Sequence, residues 1–369
     1  MYGLFVKKHA IAVAKKCDVA VLYIQAYNNK TIPFEVIKEF DLTQIIIYYK
    51  NFNKNIPLIS LFIKAYRFFI AYKKGFKLLK KHFGDYDLIH VNILTRTGVV
   101  AWLKKIFSGK PYIITEHWSR YLPITNTYKG FIRKWITKIV VKNASSVTTV
   151  TNNLKEAMLS HNLYNTNYQI VPNVISSDFF SHKIQHEKNI KTIIHVSCFE
   201  DKSKNISGML RALKNVSLNR NDFKCIMIGD GIDKISLEKY ADSLNILNKT
   251  VFFEGLKEDS QLLDCYASAD FMLMFSNYEN MPVVIPEAFA FGIPVVSTNV
   301  GGIPEIVNKT NGILLNTKDE EALENAINFM LDNYQNYDKS MLKKQAFDNF
   351  SEEVVGSKFV KIYNEVFKK

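Results

Sequence analysis

Cysteine is scarce in this sequence, and its distribution excludes two classes of protein. The 369-residue chain has four cysteines, which are widely separated and form no C-x-x-C pair: Cys17, Cys198, Cys225 and Cys265. They lie in or beside apolar segments, where a free cysteine packs as a small hydrophobic residue. We therefore expect reduced structural thiols, with neither a disulfide framework nor a cysteine-based metal site.

Long apolar runs are also absent. The sequence has no run of about eighteen apolar residues and no secretory signal, so no membrane span is predicted and a cytoplasmic location is expected. It shows no cluster of metal-ligand side chains either. With 47% hydrophobic residues among 369, the chain can bury one large core or two of ordinary size. We favour two.

Acidic residues are few in the first half. Residues 1–176 contain 26 Lys and Arg against 8 Asp and Glu, whereas the remainder contains 22 against 27. The first half therefore carries a net charge of +18 and the second −5, which together give +13. This asymmetry predicts an anionic partner for the first half only. No recognition motif favours nucleic acid, and an anionic membrane surface or a lipid-phosphate-linked ligand fits better.

The stretch 61–82 concentrates this charge. Apolar residues recur there at spacings of three and four, and the remaining positions are almost wholly basic. A basic, aromatic helix is typical of proteins that bind a membrane surface. An ordinary surface helix with a lysine-rich outer face explains the pattern equally well, so both interpretations stay open.

The most informative stretch contains two glutamates in a strand–loop–helix pattern. An apolar run at 271–275 predicts a buried strand, a loop with Glu279 follows, and Glu287 lies early in a helix that Gly292 ends. A second strand is predicted at 294–298. Ligands of an open parallel sheet bind at the carboxyl ends of its strands, where both loops lie. Each glutamate alone is more often a solvated or helix-capping residue, so the combination carries the hypothesis.

Backbone groups in these loops can approach an anion. The unpaired N–H groups at the helix start, those of Met281, Val283 and Val284, point toward the same crevice. In the next loop the Gly301-Gly302 pair allows a phosphate to come close to the main chain.

These residues carry a resemblance. The pattern S-x-x-E-x-x-P-x-x-x-x-E-A-x-A-x-G-x-P-V-V at 276–296, followed by G-G-x-x-E at 301–305, resembles the donor-site signature of retaining glycosyltransferases of family 4. The similarity is strongest over about 190–315. It implies the GT-B fold, in which two Rossmann-like, doubly wound α/β domains face a cleft that holds a sugar nucleotide.

The resemblance also implies a domain plan. Residues 1–175 correspond to an acceptor-side domain, 176–350 to a donor-binding domain, and 351–369 to a helix that crosses back onto the first domain. The V-P-N-V sequence at 171–174 resembles the crossing point, and a polar, disordered tract is expected at 176–189.

The usual first strand is missing from this sequence. Members of the family begin with a strand and a Gly-rich loop before the helix predicted at 1–16, so we expect a central gap that exposes two strand edges. Either the natural start lies upstream of Met1, which we favour, or the first domain is compromised. Gly3 remains as an acceptor-side candidate, and an edge strand is predicted at 45–49.

Two predicted strands of the first half end in polar residues. One delivers His90 and the other delivers Glu116 and His117 to the cleft edge. Taken alone, both histidines are more often packing or capping residues. The resemblance implies that His117 lies near the donor sugar, whereas His90 is left as a packing residue. Arg120 is the nearest cation for an acceptor phosphate.

A basic loop opens the second domain. Lys204 matches a family lysine that contacts the diphosphate, but Cys198 stands where an arginine is usual. Departure of a diphosphate requires positive charge aimed at it. Lys202 could substitute, although a lysine lacks the guanidinium fork, and we prefer to read it as a solvated loop residue.

By resemblance, the enzyme transfers a sugar from a nucleoside diphosphate to an acceptor hydroxyl with retention. Glu287 would accept hydrogen bonds from the ribose, and Glu279, Asn280 and nearby amides would hold the sugar. Lys204 and the helix starts would stabilise the diphosphate, with no metal and no other cofactor. His117 would shape the sugar pocket, and we assign no general base.

Two other functions stay open at this stage. The missing strand and Cys198 are compatible with a sugar-nucleotide-binding subunit without catalysis, and the fold also serves sugar-nucleotide epimerases. The abundance of lysine over arginine, with much Asn and Ile, indicates an AT-rich bacterial genome. We therefore expect a role in cell-envelope polysaccharide synthesis, with a glycan or lipid-phosphate-linked acceptor and a peripheral position on the inner face of the cytoplasmic membrane.

Overall fold

The computed structural model describes residues 3–27, 32–39, 42–52, 57–182 and 190–368. The first half alternates strands and helices, with short 3-10 turns at Ser119–Tyr121 and Pro123–Thr125. In chain order these elements are α1 (Leu4–Ala14), β1 (Val19–Tyr27), β2 (Phe34–Glu39), β3 (Leu42–Lys50), α2 (Pro57–His82), β4 (Ile89–Asn92), α3 (Leu94–Ser108), β5 (Tyr112–Glu116), α4 (Phe131–Asn143), β6 (Ser146–Thr149), α5 (Asn152–Ser160) and β7 (Tyr168–Ile170).

The strands of this half form two sheets rather than one. A three-stranded sheet has the order β1-β3-β2 and a four-stranded parallel sheet has the order β4-β5-β6-β7. Among the described strands, β1 and β4 each pair on one side only, which is the gap that the sequence predicted. The expectation of an edge strand at 45–49 was wrong. β3 pairs with parallel β1 and with antiparallel β2, a short strand that the sequence analysis did not identify.

The longest helix, α2, packs on the three-stranded sheet. The helix lies close to β1 at Gly75, where an added Cβ would be 2.6 Å from Leu22 Cδ1. Its outer face carries apolar side chains in the first half and lysines in the second. None of the helices in the described ranges combines the length and apolarity of a membrane span.

The second half continues the alternation around a larger sheet. Two further 3-10 turns lie at Ile303–Glu305 and Tyr334–Asn336. The elements are α6 (Asp178–Ser181), β8 (Lys191–Val196), α7 (Asp201–Lys204), α8 (Ile206–Ser217), β9 (Phe223–Ile228), α9 (Lys234–Ser243), β10 (Val251–Gly255), α10 (Asp259–Ala267), β11 (Phe271–Leu273), α11 (Val284–Ala290), β12 (Val295–Thr298), β13 (Gly312–Leu315), α12 (Glu320–Asn333), α13 (Lys339–Phe350) and α14 (Glu352–Phe367).

The six-stranded sheet of this half is parallel throughout, with the order β10-β9-β8-β11-β12-β13. Successive residues of the central strand β8 face opposite sides of the sheet. Ile193 packs in the core under α8 and α12, and Ile194 packs in the core shared with α11. Both layers are apolar, which explains why these strands are continuous hydrophobic runs. The order changes direction at β8 and β11, so the loops after these two strands open into the same crevice.

The last helix, α14, crosses back onto the first half. A strand bridge joins Ile175 to Ser351, and the buried side chains of Val355 and Phe359 pack with those of α1. The two helices approach closely because residue 356 is glycine, where an added Cβ would be 2.4 Å from the Ala12 carbonyl oxygen.

Residues 176–182, the described part of the tract that the sequence predicted as disordered, contain a short helix. Residues 178–181 form α6, because Phe179 is buried against the rings of Tyr266 and Phe291. Residues 183–189 lie outside the described residues.

Replacing Phe359 by alanine should destabilise the protein by about 3–5 kcal/mol, because the ring is fully buried between α14 and α1. Phe367→Ala on the same helix is the matched control. Its ring is 53% exposed, so its effect should stay within about 0.5 kcal/mol. Urea unfolding monitored by circular dichroism measures both, and equal effects would show that α14 is not anchored through Phe359.

Candidate functional site

The loop after β11 carries a buried ion pair. Glu279 Oε1 accepts hydrogen bonds from Lys204 Nζ at 2.5 Å and from Ser276 Oγ at 2.9 Å. Lys204 ends α7, which follows the neighbouring strand β8, so the ion pair joins the two loops at the switch point of the sheet. Both side chains are mostly buried, with 10% exposure for Glu279 and 15% for Lys204. A buried carboxylate and ammonium that face a crevice can bind hydroxyls and phosphates respectively.

Asn280 connects this loop to the first domain. Its Oδ1 accepts from Thr151 Oγ1 at 3.0 Å, and its Nδ2 donates to the backbone oxygen of His117 at 2.7 Å. The Gly302 N–H donates to the backbone oxygen of Asn280 at 2.8 Å. An added Cβ at residue 302 would be 2.3 Å from Thr151 Cγ2, so the close approach of the two domains requires glycine there.

Gly301 has the same kind of restriction. Its φ is +57°, and an added Cβ would be 1.9 Å from the backbone oxygen of Glu279. The two loops therefore lie against each other through main-chain atoms. A side chain at residue 301 would separate them.

Glu287 lies in the first turn of α11 and is engaged from both domains. Its Oε1 is 3.4 Å from Lys8 Nζ of α1, and its Oε2 accepts from the Tyr266 hydroxyl at 3.1 Å. Burial raises the pKa of Glu287, and the Lys8 ammonium lowers it in part. Lys8 was not identified from the sequence, where it is one of many lysines.

The backbone at the start of α11 has N–H groups that can donate hydrogen bonds to a ligand. Within the described residues, the N–H groups of Met281, Val283 and Val284 have no hydrogen-bond acceptor in the protein. They lie between Glu279 and Glu287 in the chain, and unpaired N–H groups of this kind bind anions.

His117 lies at the end of β5 in a buried histidine cluster. Its ring nitrogens are each 3.2 Å from an amide side chain, those of Asn92 and Asn173, and its ring is 5.2 Å from that of His9. Burial lowers the pKa of His117 well below the usual value, so the ring is neutral. A neutral imidazole donates from one nitrogen only, so one of the two amides must turn its NH2 group toward it.

His90 lies in the same cluster. Its Nδ1 is 2.7 Å from the Tyr363 hydroxyl and its Nε2 is 2.6 Å from Thr115 Oγ1, so both nitrogens are engaged within the fold. Burial lowers the pKa of His90 to about 3. The structure therefore gives His90 a packing environment.

Three further polar residues, Glu116, His9 and Glu305, position these loops. Glu116 accepts from the N–H groups of Leu94, His117 and Trp118 and so fixes the turn after β5. His9 Nε2 is 3.0 Å from the Pro172 carbonyl oxygen.

Glu305, from the G-G-x-x-E sequence, accepts from the N–H groups of Asn152 and Asn153 and so caps α5 of the other domain. Of Glu116, His9 and Glu305, only the two glutamates could be noticed in the sequence, since each belongs to a recognisable motif.

Several predicted residues lie apart from these contacts. The Arg120 guanidinium stacks 4.3 Å from the Trp118 ring centroid, and Gly3 precedes α1. Cys198 and Lys202 are both exposed in the loop after β8. Among the described residues, no group of three or more His, Cys, Asp or Glu side chains is arranged to hold a metal ion.

Two family models match the chain and together span residues 17–347. The model described as "Glycosyl transferases group 1" matches residues 176–347. The model described as "Glycosyltransferase Family 4" matches residues 17–179. The two matches overlap at residues 176–179.

Individual proteins are similar over most of the chain. The putative teichuronic acid biosynthesis glycosyltransferase TuaC of Bacillus subtilis is 23% identical over 299 residues, which are 79% of this chain and 73% of that protein. Among solved structures, sucrose-phosphate synthase from Thermosynechococcus elongatus has a TM-score of 0.77 at 19% identity, covering 99% of this chain and 93% of the other. Anabaena HepE in complex with UDP has a TM-score of 0.69 at 17% identity, covering 87% and 86%.

The buried histidines predict acid sensitivity. Burial lowers the pKa of His9 from 6.5 to about 4, so the unfolded state binds more protons between these values. The free energy of unfolding is therefore highest above about pH 6.5. As the pH falls toward 4, His9 lowers it by about 3 kcal/mol. His9→Gln keeps a donor for Pro172 and should flatten the decline of unfolding free energy between pH 7 and 4.

Urea unfolding at a series of pH values measures this decline. His82→Gln at the exposed end of α2 is the matched control and should retain the full pH dependence. If His9→Gln loses stability with acid as steeply as the wild type, His9 is not a source of the acid sensitivity.

Proposed function

Because this chain belongs to the family 4 glycosyltransferases and has the GT-B fold, we propose that it transfers a sugar from a nucleoside diphosphate to a glycan or lipid-linked acceptor. The transfer would retain the anomeric configuration and need no metal. The observation that supports this proposal most strongly is the Lys204–Glu279 ion pair at the switch point of the donor-side sheet. It places a cation that can bind a diphosphate beside a carboxylate that can accept hydrogen bonds from sugar hydroxyls.

Donor binding would reorganise this ion pair. In the structure the charge of Lys204 is compensated by Glu279 within the protein. On binding, the diphosphate would take Lys204 and the free amides of Val283 and Val284, and the sugar hydroxyls would replace the lysine at Glu279. Exchange of one charge-assisted hydrogen bond for another makes such a rearrangement inexpensive.

The ribose would bind at Glu287. The carboxylate is held by Tyr266 and by Lys8, so the ribose hydroxyls would have to share it with, or displace, the Lys8 ammonium. Lys8 would then lie in the cleft as a second cation near the donor. This matters because Cys198 supplies no charge where the family has an arginine.

His117 would act by position. Both ring nitrogens contact amide side chains, those of Asn92 and Asn173, so a sugar hydroxyl would have to replace one of these amides. The neutral ring would not compete with Lys204 for the diphosphate. Asn280 would couple the two sides, since it binds the His117 backbone when the domains are together. Closure of this contact would exclude water from the reacting centre.

The acceptor is proposed from the relatives and from charge. One relative is named for teichuronic acid biosynthesis, and one structural neighbour was solved with UDP, which supports a uridine diphosphate sugar and an envelope glycan as the first substrates to test. The basic, aromatic surface of α2 supports contact with an anionic membrane, one of the two interpretations that the sequence of segment 61–82 left open.

Thermal shift with a panel of nucleoside diphosphate sugars tests donor binding. A donor at a hundred times its dissociation constant should stabilise the wild type by about 2.7 kcal/mol. Glu287→Ala and Lys204→Met should each lose most of this shift, because one removes the ribose acceptor and the other the diphosphate cation. Glu321→Ala, at an exposed glutamate on α12, is the matched control and should keep it.

Product analysis separates the proposal from its alternatives. With the donor that binds, the anomeric coupling of the product in proton NMR should match that of the donor. Conversion of the donor without an acceptor would instead indicate an epimerase, and tight binding without turnover a non-catalytic subunit.

A further inference from the structure

The first turn of α4 exposes a cluster of large apolar side chains. Phe131, Ile132 and Trp135 are 85%, 71% and 58% exposed. The opposite side of the same helix is fixed in the core by Val140 and Val141. The apolar cluster is therefore held in place on a rigid element, and contiguous exposed apolar groups on a soluble domain mark an interaction site.

The helix that carries the cluster is basic. Four basic residues share this helix: Arg133, Lys134, Lys138 and Lys142. Residues 117–155 contain seven Lys and Arg and no Asp or Glu. Among the described residues, none of the four makes an ion pair. In the second half, by contrast, arginines are neutralised, as Arg211 is by Glu320.

The cluster lies near the cleft. α4 follows β5 through the two 3-10 turns, and β5 ends beside His117, so the exposed first turn is joined to the carboxyl edge of the sheet. α2 also exposes Phe62 and Tyr66. Arg67 Nη1, one turn further along, donates to the Lys50 carbonyl at the carboxyl end of β3.

We propose that the first turn of α4 is a docking surface for an anionic lipid bilayer, with Phe131, Ile132 and Trp135 inserted at the interface and the basic residues of α4 against lipid phosphates. Aromatic side chains that alternate with Lys and Arg suit this interface. A second copy of the chain is a poorer occupant, because it would bring two unpaired cationic surfaces together. Only the purpose of docking, to present a lipid-linked acceptor to the cleft, rests on the proposed function.

Vesicle co-sedimentation tests the docking surface. Wild type should bind vesicles of phosphatidylglycerol and phosphatidylcholine and bind poorly to phosphatidylcholine alone. Phe131→Ser with Trp135→Ser should lower the partition coefficient on the order of tenfold or more. Neutralising Arg133, Lys134 and Lys138 to Gln should lower it on the order of 100-fold.

The matched control is Leu218→Ser with Phe329→Ser, two exposed apolar residues of the second half that should leave the partition coefficient unchanged. Each variant is also checked for cooperative thermal unfolding, so that loss of binding is not loss of fold. In a Trp102→Phe, Trp118→Phe background, the remaining Trp135 emission should shift to the blue on anionic vesicles only.

Three results would overturn the inference. They are vesicle binding that α4 substitutions leave intact, a dimer in sedimentation equilibrium that Trp135→Ser dissociates, and preferential binding of single-stranded RNA that the same substitutions abolish. Vesicle binding decides the inference whatever the nucleotide-sugar panel gives, so failure of the proposed function and failure of this surface remain distinguishable.

Discussion

The buried ion pair between Lys204 and Glu279 is the contact on which the cleft depends. It fixes the loops after β8 and β11 against each other at the place where the strand order of the large sheet changes direction. Breaking one partner would leave the other charge buried and uncompensated, which is strongly destabilising. The same constraint makes the pair a suitable ligand site, because a diphosphate sugar offers both an anion for the lysine and hydroxyls for the carboxylate.

Several polar contacts between the two halves lie in this loop and in the loop after β12. Asn280, next to Glu279, reaches Thr151 and the His117 backbone, and Glu305 caps α5 across the same boundary. Most of these contacts are hydrogen bonds between polar groups, so they can be remade in another arrangement at modest cost. A donor bound to the loop would therefore change the contacts that these few residues make with the first domain.

The strand–loop–helix units around Glu279 and Glu287 were predicted from local patterns, whereas the GT-B fold was implied by the family resemblance. The roles of the two glutamates stay predictions. Hydrophobic runs of strand length, Gly292 and the paired glycines define strand–loop–helix units without tertiary information. The sequence could not predict the contacts of Lys8 or His9, since a lysine or histidine on a helix gives no sign of which distant group it will meet. The antiparallel strand β2 was missed, and α6 was read as disorder, because a burial such as that of Phe179 depends on a pocket formed by distant residues.

The most direct test of this account is a crystal structure of the protein with the nucleoside diphosphate that binds it best. We predict the diphosphate within hydrogen-bond distance of Lys204 Nζ and of the amides of Val283 and Val284, with the ribose on Glu287 and the Lys204–Glu279 ion pair opened. A nucleotide bound elsewhere, or one bound in the cleft with that ion pair unchanged, would contradict the assignment of this loop as the donor site.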